Sequence, residues 1–557
     1  MSGTTIIGTG VVPGVARGPA LWTSPRPQLP EHQPTVAEPE RAAETERFRA
    51  ATATVSGRLA DRASAASGAA ANVLGATAAL ARDKGWMKAA EKRIAGGMPA
   101  AHAAVAATEQ FATLFEKMGG LMAERVTDLR DIRDRVIAEL LGQPEPGVPT
   151  PAQPSVLLAD DLAPADTAGL DPQLIVALVT ELGGPTSHTA IIARQLGIPC
   201  IVAAEAIGGI AAGTDLLVDG AAGTVRVGVD PTEADRLVTE DAVRRETIRA
   251  WRGPARTADG HDVQLLANVQ DGAGARAAAE KSQAEGVGLF RTELCFLSAD
   301  TEPTVDRQRE IYAEVLTAYP DRKVVIRTLD AGSDKPLKFA NLEHEENPAM
   351  GVRGIRLATG NPGLLTHQLD AIAEAARETG NQPWVMAPMV ATVDEARDFA
   401  AACRERNLVP GIMVEVPAVA VRARFYLEHV GFLSIGTNDL AQYTMAADRM
   451  SPRLAAFTDP WQPGVLQLVA DTARAGADSG KPVGVCGEAA ADPQLACVLI
   501  GFGITSLSMA HGAVAGVGAQ LASVTLDQCR EAAEAVLAAA DAQTARKAAR
   551  VALSSFA

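Results

Sequence analysis

The chain has 557 residues, enough for about three or four compact units at ordinary domain sizes. It is 47% hydrophobic, 4% aromatic and 21% charged, with 50 glycines and 33 prolines, which excludes collagen-like, disordered and coiled-coil classes. Net charge is −16 with no Lys/Arg block, so nucleic acid is not an expected partner. Six scattered cysteines (Cys200, Cys295, Cys403, Cys486, Cys497, Cys529) form neither a disulfide framework nor a zinc pattern. The opening MSGTTIIGTGVVPG lacks a basic segment followed by an apolar one, so a cytoplasmic protein is expected.

In chain order, GTGVVPGVARGPALW near the start has turn punctuation and β-branched residues of strands. Proline-rich segments at 23–34 and 144–154 read as stiff connectors. Between them, residues 40–141 carry Ala, Glu, Arg and Leu at helical spacing. Strand-like runs resume at SVLLA (155–159), LIVALVT (174–180), CIVAA (200–204) and DLLVDG (215–220). The helical block is therefore expected as an insertion in an α/β domain, because the opening strands would otherwise lack partners. The charged stretch 231–252 has few large apolar residues and reads as a solvated linker helix.

Eight apolar runs follow, at 263–269, 286–293, 323–330, 384–390, 411–416, 431–439, 482–488 and 505–510. That number over about 300 residues is what a (β/α)8 barrel requires. Six end in polar tails such as Arg–Thr–Glu, Arg–Thr–Leu–Asp or Cys–Gly–Glu, and in a parallel barrel those tails share the catalytic rim. Residues 493–526 carry no charge and are long enough to cross a bilayer. Glycines and serines interrupt them, so a buried strand between two helices is expected and membrane insertion is not.

GGPTSHTAIIARQLGIP (183–199) places His188 where a strand hands over to a helix N-terminus. Free amide N–H groups there favour an anion, so a phosphorylated imidazole would be cradled. Arg291, Arg327, Arg353 and Arg449 fall at the ends of barrel strands or on the loops after them, and Lys335 follows Gly-Ser-Asp. Guanidinium groups pair bidentately with carboxylate and phosphate. Glu415 and Asp439 point to the same rim, with Asn438 beside the second, and two carboxylates plus substrate oxygens are a usual Mg²⁺ shell.

GGPTSHTAIIARQLGIPCIV resembles the phosphohistidine signature of the phosphoenolpyruvate-utilising enzymes. GVGLFRTELCFL, VVIRTLDAGSDKPL, NPAMGVRGIRL, IMVEVPA, LSIGTNDLAQYTMAADR and VGVCGEAA follow in the order of the Enzyme I family of the bacterial phosphotransferase system. The resemblance implies an α/β multidomain fold. Its parts are a phosphohistidine domain (1–20 and 148–228), an inserted helical domain (35–145), a linker helix (229–253) and a phosphoenolpyruvate-binding barrel (254–557). It implies His188 as phosphoryl acceptor and Cys486 as proton donor to the pyruvate enolate, the latter through a thiol of near-neutral pKa. Arg291, Arg327, Lys335, Arg353, Asn438, Asp439 and Arg449 would bind substrate, and Glu415 and Asp439 would hold Mg²⁺. Thr167 would orient the histidine, and Glu488 would assist. The next acceptor would be the phosphocarrier HPr, docked on the helical domain, and the barrel would form a homodimer. The run DLRDIRDRV (128–136) matches the family, but Gly75–Leu80 departs from its pattern, so no docking residue is assigned. Two alternatives are a fragment of a pyruvate phosphate dikinase-like enzyme and an inactive regulatory paralogue. The segment before His188 has no Gly-rich phosphate loop, which disfavours an ATP site.

Overall fold

The computed structural model describes residues 3–24, 26–30, 35–65, 68–118, 120–149, 151–162, 166, 170–184, 187–331, 337–340 and 345–554. The chain forms two compact units, 1–245 and 246–557.

The first unit holds one mixed sheet of eight strands: β1 (Thr4–Ile7), β2 (Thr9–Val12), β3 (Val15–Trp22), β4 (Ser155–Ala159), β5 (Ile175–Thr180), β6 (Cys200–Val202), β7 (Asp215–Asp219) and β8 (Thr224–Val227). Their spatial order is β1-β8-β7-β3-β4-β5-β6-β2. β3 and β4 are parallel neighbours, with Ala20 opposite Val156, although more than 130 residues separate them. The helical segment therefore leaves and rejoins the sheet between adjacent strands. Val156 and Leu158 pack on one face, Leu157 and Ala159 on the other. Burial on both faces explains why SVLLA is uniformly apolar rather than alternating. β8 falls outside the runs read from sequence; it is four residues long and is held by antiparallel pairing to β1 and β7.

Among the described residues five α-helices make up the insertion, Arg41–Ala65, Gly68–Leu80, Lys84–Ala95, Ala100–Met118 and Gly120–Leu141. Phe48 and Trp86 pack with ring centroids 5.6 Å apart, and the Trp86 indole N–H donates to Thr108 Oγ1 at 3.0 Å. Asp83 caps the third helix by accepting from the Trp86 amide. The linker helix runs Pro231–Ala250. It departs from a purely solvated helix at two positions: Ala234 is buried, and so is Asp241, which accepts from the Val15 amide at 3.0 Å, with Arg245 at 2.8 Å.

The second unit is a closed barrel of β9 (Gln264–Val269), β10 (Gly286–Arg291), β11 (Lys323–Arg327), β12 (Trp384–Ala387), β13 (Val409–Val414), β14 (Phe432–Ile435), β15 (Val483–Val485) and β16 (Ser506–Met509). Every neighbouring pair is parallel, and a helical segment follows each strand. The run read as 411–416 begins two residues earlier as β13. The uncharged stretch 493–526 becomes a helix (Pro493–Gly501), β16 and a second helix (Val514–Leu521). Among the described residues no helix is long and apolar enough to cross a membrane.

Candidate active site

Parallel closure puts the C-terminal ends of all eight strands on one rim, where βα loops supply functional side chains. Arg291 is the last residue of β10 and Arg327 the last of β11; Glu415 follows β13, and Cys486 follows β15. Asn438 and Asp439 sit in the first turn of the Thr437–Met445 helix after β14. These six, with Arg449 and Asp330, line one cleft. Arg353 lies behind it, 3% exposed, donating to both Asp330 oxygens at 3.1 and 2.8 Å and to Asp439 at 3.4 Å.

Sequence reasoning assigned no role to Glu293 or Asp330, although both stand in the polar tails of β10 and β11. Glu293 is fully buried and pairs with Arg327 at 2.7 Å. Asp330 bridges Arg327 (2.9 Å) and Arg353 (2.8 Å). Three arginines, Arg327, Arg353 and Arg449, thus meet four carboxylates, Glu293, Asp330, Glu415 and Asp439, and Arg291 lines the same cleft. Burial works against the charge on Arg327, yet Glu293, Asp330 and Glu415 outweigh it and hold the guanidinium ionised. Strand-end position was the available signal for the two missed residues, but it does not say which carboxylates turn inward.

Asp330, Glu415 and Asp439 offer carboxylate oxygens within 4.8 Å of one another, all three residues buried. Burial, reinforced by Asp439 and Asp330, pushes Glu415 up to about 8 against the pull of Arg327 and Arg353. Crowded buried carboxylates with oxygen-only donors fit a hard divalent cation, which would remove that repulsion. The backbone is shaped to the same end. Met389, just past β12, adopts φ 59° and donates its amide to Glu415 at 2.9 Å. A side chain other than glycine adopts such a conformation only where its surroundings enforce it.

Cys486 is 3% exposed, and its Sγ lies 3.6 Å from the Ile435 carbonyl. Burial pushes the thiol up to about 11, partly offset by a hydrogen bond from Ser434. This corrects the expectation of a near-neutral thiol: desolvation, invisible in the sequence, keeps Cys486 protonated. Asn438 accepts from the Glu488 amide at 3.0 Å, while Glu488 is itself exposed. In the other unit, His188 is the first residue of the His188–Leu196 helix, which Ser187 caps by accepting from the Ala190 amide. Gly197, in the left-handed region at φ 68°, ends it. Lys335 and Thr167 lie outside the described residues.

Residues 244–526 match the PEP-binding domain of the PEP-utilising enzymes, 151–223 their mobile domain and 7–125 their N-terminal domain. The chain is 48% identical over 560 residues to the phosphoenolpyruvate-protein phosphotransferase of Streptomyces coelicolor, covering 99% of both. The chain belongs to the phosphoenolpyruvate-protein phosphotransferase family. A second member, from Haloferax volcanii, is 38% identical and spans 97% of this chain and 98% of its own length. A third, from Staphylococcus carnosus, is 37% identical over 78% of this chain and 79% of its own. Within this family the rim cleft falls in the PEP-binding part, and the helix headed by His188 falls in the mobile part.

Proposed function

We propose that this chain is the general phosphotransferase of a sugar phosphotransferase system, moving the phosphoryl group of phosphoenolpyruvate to His188 and then to HPr. The observation that carries this reading is the meeting, on one barrel rim, of four arginines, a buried carboxylate cluster and a buried thiol. Phosphoenolpyruvate presents a carboxylate and a phosphate, which Arg291, Arg327, Arg353 and Arg449 suit by bidentate pairing. Asn438 and Asp439 flank the phosphate position, and Lys335 adds a further cation. Glu415 and Asp439 would hold Mg²⁺, with Asp330 beside them. When bound, the ion neutralises phosphate charge and the charge that develops on the leaving enolate.

The His188 imidazole attacks phosphorus as the bond to the bridging oxygen breaks and its electron pair leaves with pyruvate enolate. Cys486 then gives its proton to the enolate methylene carbon, which fixes the product as pyruvate. A thiol held well above neutrality begins each cycle in the donating form. Thr167 is assigned the resting contact of the histidine. His188 has to serve both the rim and the carrier, so the linker (229–253) is assigned a hinge role between the phosphohistidine domain (1–20 and 148–228) and the barrel (254–557). The helical domain (35–145) is assigned the docking of HPr, and the barrel a homodimer contact, in a cytoplasmic enzyme.

The test is labelling with phosphoenolpyruvate carrying radioactive phosphate. An acid-labile, base-stable label should form in the presence of Mg²⁺, disappear with a chelator and pass to added HPr. His188→Ala should take no label yet bind phosphoenolpyruvate nearly as well as the parent. Label on the His188→Ala protein would overturn the assignment. Label released by AMP and pyrophosphate instead of HPr would establish the dikinase alternative.

A further inference from the structure

Below the cleft the barrel interior is unexpectedly polar. Ser434, Ser506 and Ser508 from β14 and β16 line a small cavity, and Lys323, the first residue of β11, lines it from the opposite mouth. The cavity, lined also by Leu266, Val325, Phe432 and Val485, has just the room for one water molecule, for which Lys323 and the serine hydroxyls are the polar partners. Glycines keep it open: a Cβ on Gly484 would collide with the Ser506 hydroxyl, and one on Gly288 with that of Ser508. Across the β14–β15 pairing Ser434 stands opposite Gly484, two residues before Cys486, and its hydroxyl pulls the Cys486 thiol down against burial. Asn268 links the same layer, accepting from Ser508 at 2.5 Å and donating to the Cys486 carbonyl at 3.2 Å.

We propose that Lys323, the cavity and Ser434 form a relay that returns a proton to Cys486 from the barrel face opposite the phosphoenolpyruvate cleft. The inference rests on the phosphotransferase reading, since only turnover leaves Cys486 as a thiolate. In the relay, Ser434 gives its hydroxyl proton to the sulfur and takes one from the cavity water. The water takes one from the Lys323 ammonium, and the resulting neutral amine is reprotonated by solvent at the mouth. No atom is gained or lost, and one proton moves inward per cycle. Lys323 is equipped for this. Its Nζ sits 4.1 Å from the centre of the Trp384 ring, and burial alone pulls it down to about 8, so it releases a proton far more readily than a surface lysine. The rim side is occupied by substrate or product during turnover, which leaves the interior as the free route to the sulfur.

The experiment follows pyruvate release by rapid quench from the full-length protein, with phosphoenolpyruvate, Mg²⁺ and excess HPr. The first turnover uses the proton already on Cys486, so Lys323→Met should match the parent in that phase. Later turnovers should slow about a hundredfold, the low side of what proton-transfer groups contribute. Lys323→Arg keeps the cation over Trp384 but cannot release its proton, so it should be slowed equally. Restored later turnovers in Lys323→Arg would make Lys323 a structural cation and overturn the relay, as would later turnovers of Lys323→Met at the parent rate. Absence of any first-turnover pyruvate in the parent protein would overturn the phosphotransferase reading and the relay with it.

Discussion

Arg327→Met tests whether the rim is held by its buried charges. Arg327 is 5% exposed and faces Glu293 at 2.7 Å, Asp330 at 2.9 Å and Glu415 at 4.0 Å, with all three carboxylates buried. At an effective permittivity of about 20, each of the two closest contacts has a gross attraction of about 6 kcal/mol. Most of that offsets desolvation, so the wild-type pair is worth far less. Removing the guanidinium alone leaves the buried Glu293 without the cation it faces and takes one of its guanidinium partners from Asp330. Breaking a buried pair in this one-sided way costs about 3–5 kcal/mol. At about 2 °C per kcal/mol for a unit of this size, the barrel transition should fall by about 6–10 °C in calorimetry of the full-length protein. Methionine keeps the side-chain volume, so the loss reports charge rather than a cavity. Arg307→Met is the control, since Arg307 and its partner Glu310 (2.8 Å) are both more than half exposed. It should cost less than about 1 kcal/mol. A shift for Arg327→Met no larger than that of Arg307→Met would refute the reasoning.

Cys486→Ala should retain phosphoenolpyruvate binding and slow pyruvate formation by about 10²–10⁴; an unchanged steady-state rate of pyruvate release would remove the thiol from the mechanism. In the other unit, burial pushes Asp131 up to about 6, with Asp166 adding and Arg135 opposing, so the folded state binds that proton more tightly than the unfolded chain. Stability from this group is therefore present below about pH 4 and lost as pH rises through about 6, a span worth about 3 kcal/mol, and Asp131→Asn should flatten that slope in calorimetric titrations.

The eight barrel strands were legible because each is a short buried run and six of them are closed by polar residues, a pattern that burial and the active rim jointly impose. β8 was not, because a four-residue strand in Thr224–Val227 owes its conformation to β1 and β7 rather than to its own sequence. DLRDIRDRV looks like a solvated helix face. In the structure the Arg135 side chain is wholly buried and meets Asp131 (2.8 Å), Glu145 (2.6 Å) and Asp166 (2.5 Å), joining the last helix to segments that follow it. Helical spacing shows the Asp131 partner, four residues away, but cannot show the two distant ones. The same limit hid Glu293, Asp330 and the Met389 amide. Residue type announced the arginines and Cys486, but which groups surround them is a property of tertiary contact.

The charge balance of the rim says how such a site selects its ligand. Four guanidinium groups alone would trap any phosphate or carboxylate. Here Arg327 and Arg353 are already hydrogen-bonded to Glu293, Asp330 and Asp439, so a lone anion would compete with carboxylates fixed in place. Glu415 beside them is crowded in turn, because burial and the charges of Asp439 and Asp330 raise it far above its ordinary range. A ligand that brings a divalent cation together with phosphate and carboxylate groups relieves both conditions. The cation answers the Asp330–Glu415–Asp439 cluster, and the anionic groups answer the arginines so released. Discrimination then arises from the cost of leaving either set unanswered. That cost accounts for acidic residues inside a cleft built to bind a polyanion.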